Sequence, residues 1–166
     1  KEYRTVSKLP RLYKFWAKDR KPYRDKWEQS RDIGVDTAGK GSSAERAALL
    51  RGLAAEIAVR CKEFAGGNFF DIDKFLDSIP LLQLSYGCVS TDYPMLDLIL
   101  GLQIHIAPRI LQLNDCCSIP VDIFTSICAG CSQSQPFVTA LCDGEVNITV
   151  EKAPASNTKT HVDDFS

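Results

Sequence analysis

Along residues 8 to 28, Leu9, Leu12, Tyr13, Trp16, Tyr23 and Trp27 fall near one stripe of period 3.6, while Lys14, Lys18, Lys21 and Lys26 lie largely off it. This spacing predicts an amphipathic, basic helix. Pro22 has no amide donor and is expected to break or kink the run, leaving one helix or two. Residues 34 to 43, GVDTAGKGSS, carry three glycines and read as a linker. The strongest helical signal comes next. Ser42 and Glu45 fit a capping box, and Ala47, Leu50, Leu53, Ala54, Ile57, Cys61 and Phe64 form one apolar face, expected to be buried in the core. Glu56 and Arg60 make a favourable i,i+4 pair off that face, and Gly66-Gly67 supplies the stop.

The second half is patterned less uniformly. Asp71 to Asp77 reads as a short helix capped by Asp71. Ser78-Ile79-Pro80 and Ser118-Ile119-Pro120 each open a helix with proline in the first turn, the second predicted over 120 to 131. Both runs lead into Gly-Cys, at 87–88 and 130–131, the spacing of a HEAT-like repeat with a three-residue gap. Asp92-Tyr93-Pro94 opens a helix from 94 to about 103. Leu100, Leu102, Ile104 and Ile106 then alternate with Gly101, Gln103 and His105 at the strand period, so 100 to 106 fit either element. Phe137 to Cys142 and Glu145 to Val150 flank Asp143-Gly144, a hairpin signal. The expected fold class is mainly α: a helical domain with a C-terminal β-hairpin and an N-terminal basic amphipathic helical arm. The segmentation is arm 1–33, linker 34–42, helical domain 43–150 and polar tail 151–166, the tail expected without regular structure.

Composition adds one thing to this picture. At 166 residues, 45% apolar and 25% charged, the chain has the make-up of a globular protein with a core of its own. Its charge, however, is segregated. Residues 1 to 31 hold 11 Lys and Arg against four acids, a net of +7, and the remainder carries −8. That asymmetry suggests a basic arm with its own partner; the alternative is an arm that docks on the chain's own acidic body. No stretch has the pattern of a signal peptide. The densest apolar stretch, Met95 to Ile106, is shorter than the roughly 20 residues of a membrane span and contains Asp97 and His105.

Seven cysteines, an odd number, would leave one thiol over from any closed disulfide framework. With Cys61 inside a helical pattern, this favours a reducing, intracellular compartment, whether cytoplasmic, nuclear or organellar. The glycosylation sequon at Asn147-Ile148-Thr149 is the counter-signal. Cys128-Ala129-Gly130-Cys131 is the only CxxC, and with Cys117 before it and Cys142 after it four thiolates have a spacing that suits zinc. A second CxxC is missing, so the favoured reading puts Cys128 and Cys131 at i and i+3 of a helix, facing a core. A redox pair is disfavoured for want of a βαβ context.

Other chemistry is sparse. His105 lies among apolar residues as a satisfied, half-buried imidazole, and His161 sits in the polar tail. Gly34 to Ser42 nearly matches a phosphate-binding loop, but Gly41 stands where Ser or Thr must follow the lysine. Asp71, Asp73 and Asp77 suit a helix N-terminus better than Mg²⁺. With no base, oxyanion motif or cofactor loop, the chain reads as non-enzymatic and without cofactor.

The arm remains. Six aromatics interleave with 11 basic residues over 1 to 31. The leading expectation is a non-catalytic interaction or scaffold subunit of a larger assembly, docking to a partner protein through Leu12, Tyr13, Trp16, Tyr23 and Trp27. The alternative is nucleic-acid binding, with Lys14, Lys18, Arg20, Lys21, Arg24 and Lys26 on phosphates and the aromatics on unpaired bases. The acidic body would be repelled by nucleic acid and by anionic lipid, which places the protein partner first and a membrane surface last.

Overall fold

The basic stripe at the N-terminus forms one uninterrupted helix, α1 (Arg11–Arg31), in a computed structural model that describes residues 7–31, 43–64, 66, 70–71, 74–152, 160–161 and 164–165. Pro22 does not break α1, contrary to the sequence expectation. It lies on the exposed face, where water can take the carbonyl that lost its amide partner. Five further helices follow among the described residues: α2 (Ala44–Cys61), α3 (Phe75–Ser78), α4 (Leu81–Ser90), α5 (Met95–Ile106) and α6 (Ser134–Lys152). The strands are two residues each: β1 (Phe70–Asp71), β2 (Gln112–Leu113), β3 (Cys116–Cys117), β4 (Thr160–His161) and β5 (Asp164–Phe165). The fold is mainly helical, with an N-terminal helix and a short antiparallel hairpin, β4–β5, near the C-terminus.

The chain forms two compact units, one of Lys1–Trp27 with Lys74–Gly144, the other of Glu28–Asp73 with Glu145–Ser166. These boundaries run through the helical segment 43–150 and join most of the arm to the body.

In the first unit the main core gathers Trp27 from α1, Phe75 and Ile79, Leu81, Leu84 and Cys88 of α4, Tyr93 and Leu98, Ile127, and Phe137, Val138 and Ala140 of α6. Aromatic rings organise it. Tyr93 meets Trp27 edge-on at 4.9 Å and Phe137 at 5.4 Å, and His105 meets Phe137 at 5.6 Å. A smaller core joins Tyr13 and Ala17 of α1 to Cys128 and Cys131, with Leu9, Trp16 and Ile104 packed against it.

In the second unit α2 is capped by Ser43, whose side chain accepts the Arg46 amide at 3.4 Å. The cap is therefore Ser43 and not Ser42 of the expected capping box with Glu45; Ser42 lies outside the described residues, as do the linker and its near-match to a phosphate-binding loop. The helix ends at Cys61, with Lys62 in the left-handed conformation (φ 57°), ahead of the Gly66-Gly67 stop. β4 and β5 pair with Thr160 opposite Phe165, and β1 pairs along the other edge of β5, giving the order β1-β5-β4. Part of the tail expected to be irregular is therefore strand.

The apolar face of α2 is not the core. Ala47 is buried, but Leu50, Leu53, Ile57 and Phe64 are exposed, Leu53 at 46%. Leu53→Ala is accordingly expected to cost less than about 1.5 kcal/mol in equilibrium urea unfolding, below the range of about 2–5 kcal/mol for a fully buried leucine. A loss within that buried range would show that something covers this face in solution.

Further expectations are corrected, and the open choice at 100 to 106 is decided. Residues 137 to 150 form the interior of α6 and not a hairpin. A strand would send Phe137 and Ala140 to opposite faces, whereas helical spacing brings both to the core, where they are 0% and 1% exposed. That packing overrides the Asp143-Gly144 turn signal. Residues 100 to 106 are helical throughout. Residues 120 to 131 are not helical, so the repeat with 80 to 90 does not exist. Their amides bond elsewhere: Val121 exchanges two 2.9 Å bonds with Arg109, Ser126 donates to Ile79, and Ile127 donates to Leu76. Likewise Asp71 belongs to β1, and the short helix it was expected to cap begins only at Phe75.

Candidate functional site

α5 positions the centre of the first unit. Asp97, Gly101 and His105 repeat every four residues on a helix that is otherwise almost wholly apolar, and all three are buried. This spacing draws one narrow stripe of acid, gap and imidazole down the buried side.

Asp97 is 0% exposed and receives two arginines from α1. Arg20 donates through Nε and Nη2 to Oδ2 at 3.1 and 3.0 Å, and Arg24 donates through Nη1 to Oδ1 at 2.9 Å. Arg24 also donates to the Ala17 carbonyl at 2.6 Å and is itself only 2% exposed. Arg20 stands nearer solvent, its guanidinium 4.0 Å from the centre of the Tyr23 ring. Two further contacts hold α1. Trp27 Nε1 donates to the Thr91 carbonyl at 2.8 Å, and Tyr13 Oη lies 2.9 Å from Cys131 Sγ. Burial, chiefly, and the Cys131 contact push the Tyr13 phenol well above its ordinary range.

Gly101 leaves room for Gln133: a β-carbon there would overlap the Gln133 carboxamide and come within 2.9 Å of Phe137. His105 is fully buried, not half-buried, and its Nδ1 accepts the Cys128 amide at 2.9 Å. Arg109 donates to the His105 carbonyl and through Nη1 and Nη2 to Ser126, which donates in turn to Asp77. Ser126 has φ 93°, unusual for a side-chain-bearing residue, and these bonds hold it there.

Burial and then the Arg109 charge push the His105 pKa from 6.5 down to about 4. The unfolded chain takes up a proton near its ordinary pKa, while the folded chain resists until about pH 4. Stability is therefore complete above the unfolded pKa and falls as pH drops through the folded one, by up to about 3 kcal/mol from this group. Other acids titrate in the same window. The share of His105 is the difference between the native chain and His105→Asn in urea unfolding at neutral and acid pH, the variant expected to show the flatter dependence. Equal pH dependence in the two would contradict the assignment.

The residues expected to meet a partner are divided between two faces. Tyr13 and Trp27 are buried in the chain's own cores, and Trp16 is half-buried against Tyr13. Leu12 and Tyr23 stay exposed, at 83% and 57%, and Phe15, outside the expected set, is 72% exposed. Of the six cations, Arg24 and Arg20 are committed to Asp97 and Lys21 pairs with Asp25 at 2.5 Å, while Lys14, Lys18 and Lys26 stand exposed. Thus α1 docks on the acidic body through Tyr13, Ala17, Arg24 and Trp27 and turns Leu12, Phe15, Lys14 and Lys18 outward. Sequence reasoning missed Asp97 and Gln133. The available signal was the four-residue spacing of Asp97, Gly101 and His105.

The four cysteines with zinc-like spacing are not brought together. Cys117 is exposed on β3, Cys128 and Cys131 are buried with Tyr13, and Cys142 is part-buried beside the main core. Among the described residues no three His, Cys, Asp or Glu side chains have the arrangement of a metal site, and no helix is long and apolar enough to cross a membrane. The chain matches no family model, no curated protein and no solved structure.

Proposed function

We propose that the protein is a non-catalytic interaction module that seats the outward face of α1 in an apolar, acid-rimmed groove of a partner protein. The observation that carries this reading is the exposure of Leu12 and Phe15, 83% and 72%, on a helix whose opposite face is held by the body. They stand at i and i+3, the spacing of anchors in helix-in-groove recognition. Lys14 and Lys18 flank them and supply the charge that an acidic rim would select. Docking through Arg24 and Trp27 means that this face is presented already folded, so less ordering entropy is lost on binding. His105, with Nδ1 committed to a backbone amide, is not poised as a base.

Nucleic-acid binding is the second reading, favoured by the exposed Lys14, Lys18 and Lys26 beside Phe15. The test compares proteins retained by the intact chain with those retained by a Leu12→Ala/Phe15→Ala variant, then measures the affinity of the identified partner. The double variant is expected to lose about 2 kcal/mol or more, roughly 30-fold. Charge reversal at Lys14 and Lys18 should mainly slow association. A single-stranded oligonucleotide titrated across salt concentrations decides the second reading. A slope of log K against log salt near −2, for about three phosphates neutralised, together with an unimpaired Leu12→Ala/Phe15→Ala variant, would replace the partner reading.

A further inference from the structure

We propose that Cys128 and Cys131 are a dithiol–disulfide pair, and that its oxidation loosens the Tyr13 end of α1 from the body of the first unit. This inference does not depend on what α1 binds. The CxxC segment is closed as a tight turn: the Cys131 amide donates to the Cys128 carbonyl at 3.1 Å, and Gly130, third in the turn, has φ +81°. A type II β-turn requires that positive φ and holds its end Cα atoms within about 7 Å, while a disulfide spans about 4.4–6.8 Å. The backbone of Cys128 is fixed on both sides, its amide on His105 Nδ1 and its carbonyl accepting from Ser134 Oγ at 2.8 Å.

No other two cysteines close a CxxC turn: Cys116 and Cys117 are neighbours on β3 and project to opposite faces, Cys61 is exposed on α2, and Cys88 and Cys142 lie on separate helices, α4 and α6. Burial raises the Cys131 thiol too, but two hydrogen-bond donors offset part of that rise. Tyr13 Oη at 2.9 Å and the Gln133 amide at 3.5 Å are donors suited to its thiolate once solvent arrives. Both cysteines are buried in one cluster with Tyr13 and Ala17 of α1.

The oxidant is a low-molecular-weight disulfide, RSSR. The Cys131 thiolate attacks one of its sulfurs, the S–S bond breaks, and RS⁻ leaves and is protonated. The Cys128 thiolate then attacks the mixed disulfide at Cys131 Sγ, forming Sγ–Sγ and expelling the second RS⁻. The two cysteines lose two protons and two electrons, and RSSR becomes two RSH. Cys131 Sγ turns from Tyr13 toward Cys128, and the buried phenol loses its partner. By reciprocity, docking of α1 favours the dithiol as much as oxidation disfavours docking.

The test uses the full chain with Cys61, Cys116 and Cys117 replaced by serine, equilibrated in graded mixtures of reduced and oxidised glutathione. Peptide mapping is expected to show a Cys128–Cys131 link. Tryptophan emission is expected to shift to the red in step with it, since Trp16 packs against Tyr13 in the cluster that holds both cysteines. Tyr13→Phe is expected to move half-oxidation about fivefold toward reduced glutathione, the effect of one lost hydrogen bond. Three outcomes would overturn the proposal: Cys128 and Cys131 remaining unlinked in fully oxidised glutathione, a link formed with tryptophan emission unchanged, or a half-oxidation ratio that Tyr13→Phe does not move. The mapping needs no folded variant at either core cysteine.

Discussion

Asp97→Ala is expected to lower the unfolding free energy by about 3–5 kcal/mol in urea titrations, one of the two largest single-residue effects in the first unit. The carboxylate is fully buried and is the acidic partner of both Arg20 and Arg24, and Arg24 is itself 2% exposed. Removing the acid leaves the Arg24 guanidinium in the interior with the Ala17 carbonyl and no counter-charge. Restoring its hydration means undocking α1. Asp97→Asn keeps the shape and one acceptor but not the charge, and should recover only part of the loss. Replacing both partners with apolar residues of similar volume, Arg24→Met with Asp97→Leu, should be less destabilising than Asp97→Ala alone, because no buried charge is then left unpaired. A loss under about 1 kcal/mol for Asp97→Ala would mean that α1 is not held through this acid.

Trp27→Ala is expected to cost about 3–5 kcal/mol in the isolated protein, measured in the same way. Its indole is 7% exposed, stands edge-on to Tyr93 at 4.9 Å, and donates to the Thr91 carbonyl at 2.8 Å. Truncation removes a large apolar surface and leaves that carbonyl without this donor. Trp27→Phe keeps most of the ring and should cost the hydrogen bond plus a small packing loss, about 1–2 kcal/mol. The comparison separates two roles for one aromatic. A residue kept to anchor a partner would be dispensable to the free chain, so an unchanged denaturation midpoint would return Trp27 to the partner set.

Helical class and the N-terminal helix were legible because they rest on local signals: the 3.6 period of residues 8 to 28 and the proline openings of α4 and α5. The errors have a common physical origin. Asp143-Gly144 is a good turn in isolation, and Val146, Ile148 and Val150 are good strand residues, yet Phe137 must meet Tyr93 and His105, and only a helix aligns Ala140 with it. The alternation of Leu100 to Ile106 left the end of α5 undecided because its buried stripe is acid, glycine and imidazole, which an apolar period does not register. Residues 120 to 131 have a proline opening and apolar spacing, but their backbone groups find partners on Arg109, Ile79, Leu76 and His105, all distant in sequence.

For the candidate surface, the sequence by itself determined that residues 8 to 28 would be helical and basic, with an aromatic stripe from which most lysines stand off, because side-chain spacing and charge are local properties. It also determined that the body from Gly66 to Val150 would be acidic, with only Lys74 and Arg109 as cations. Which aromatics face inward was decided by tertiary structure alone. Tyr13, Trp16 and Trp27 share a stripe with Leu12 and Tyr23 at the precision of a helical period, and the rotation of α1 is selected by tertiary partners: Asp97 on α5, which takes Arg20 and Arg24 on one carboxylate, with Thr91 and Cys131. A buried acid accepts few arrangements of cations. That constraint acts between residues more than seventy positions apart, where no local pattern reaches.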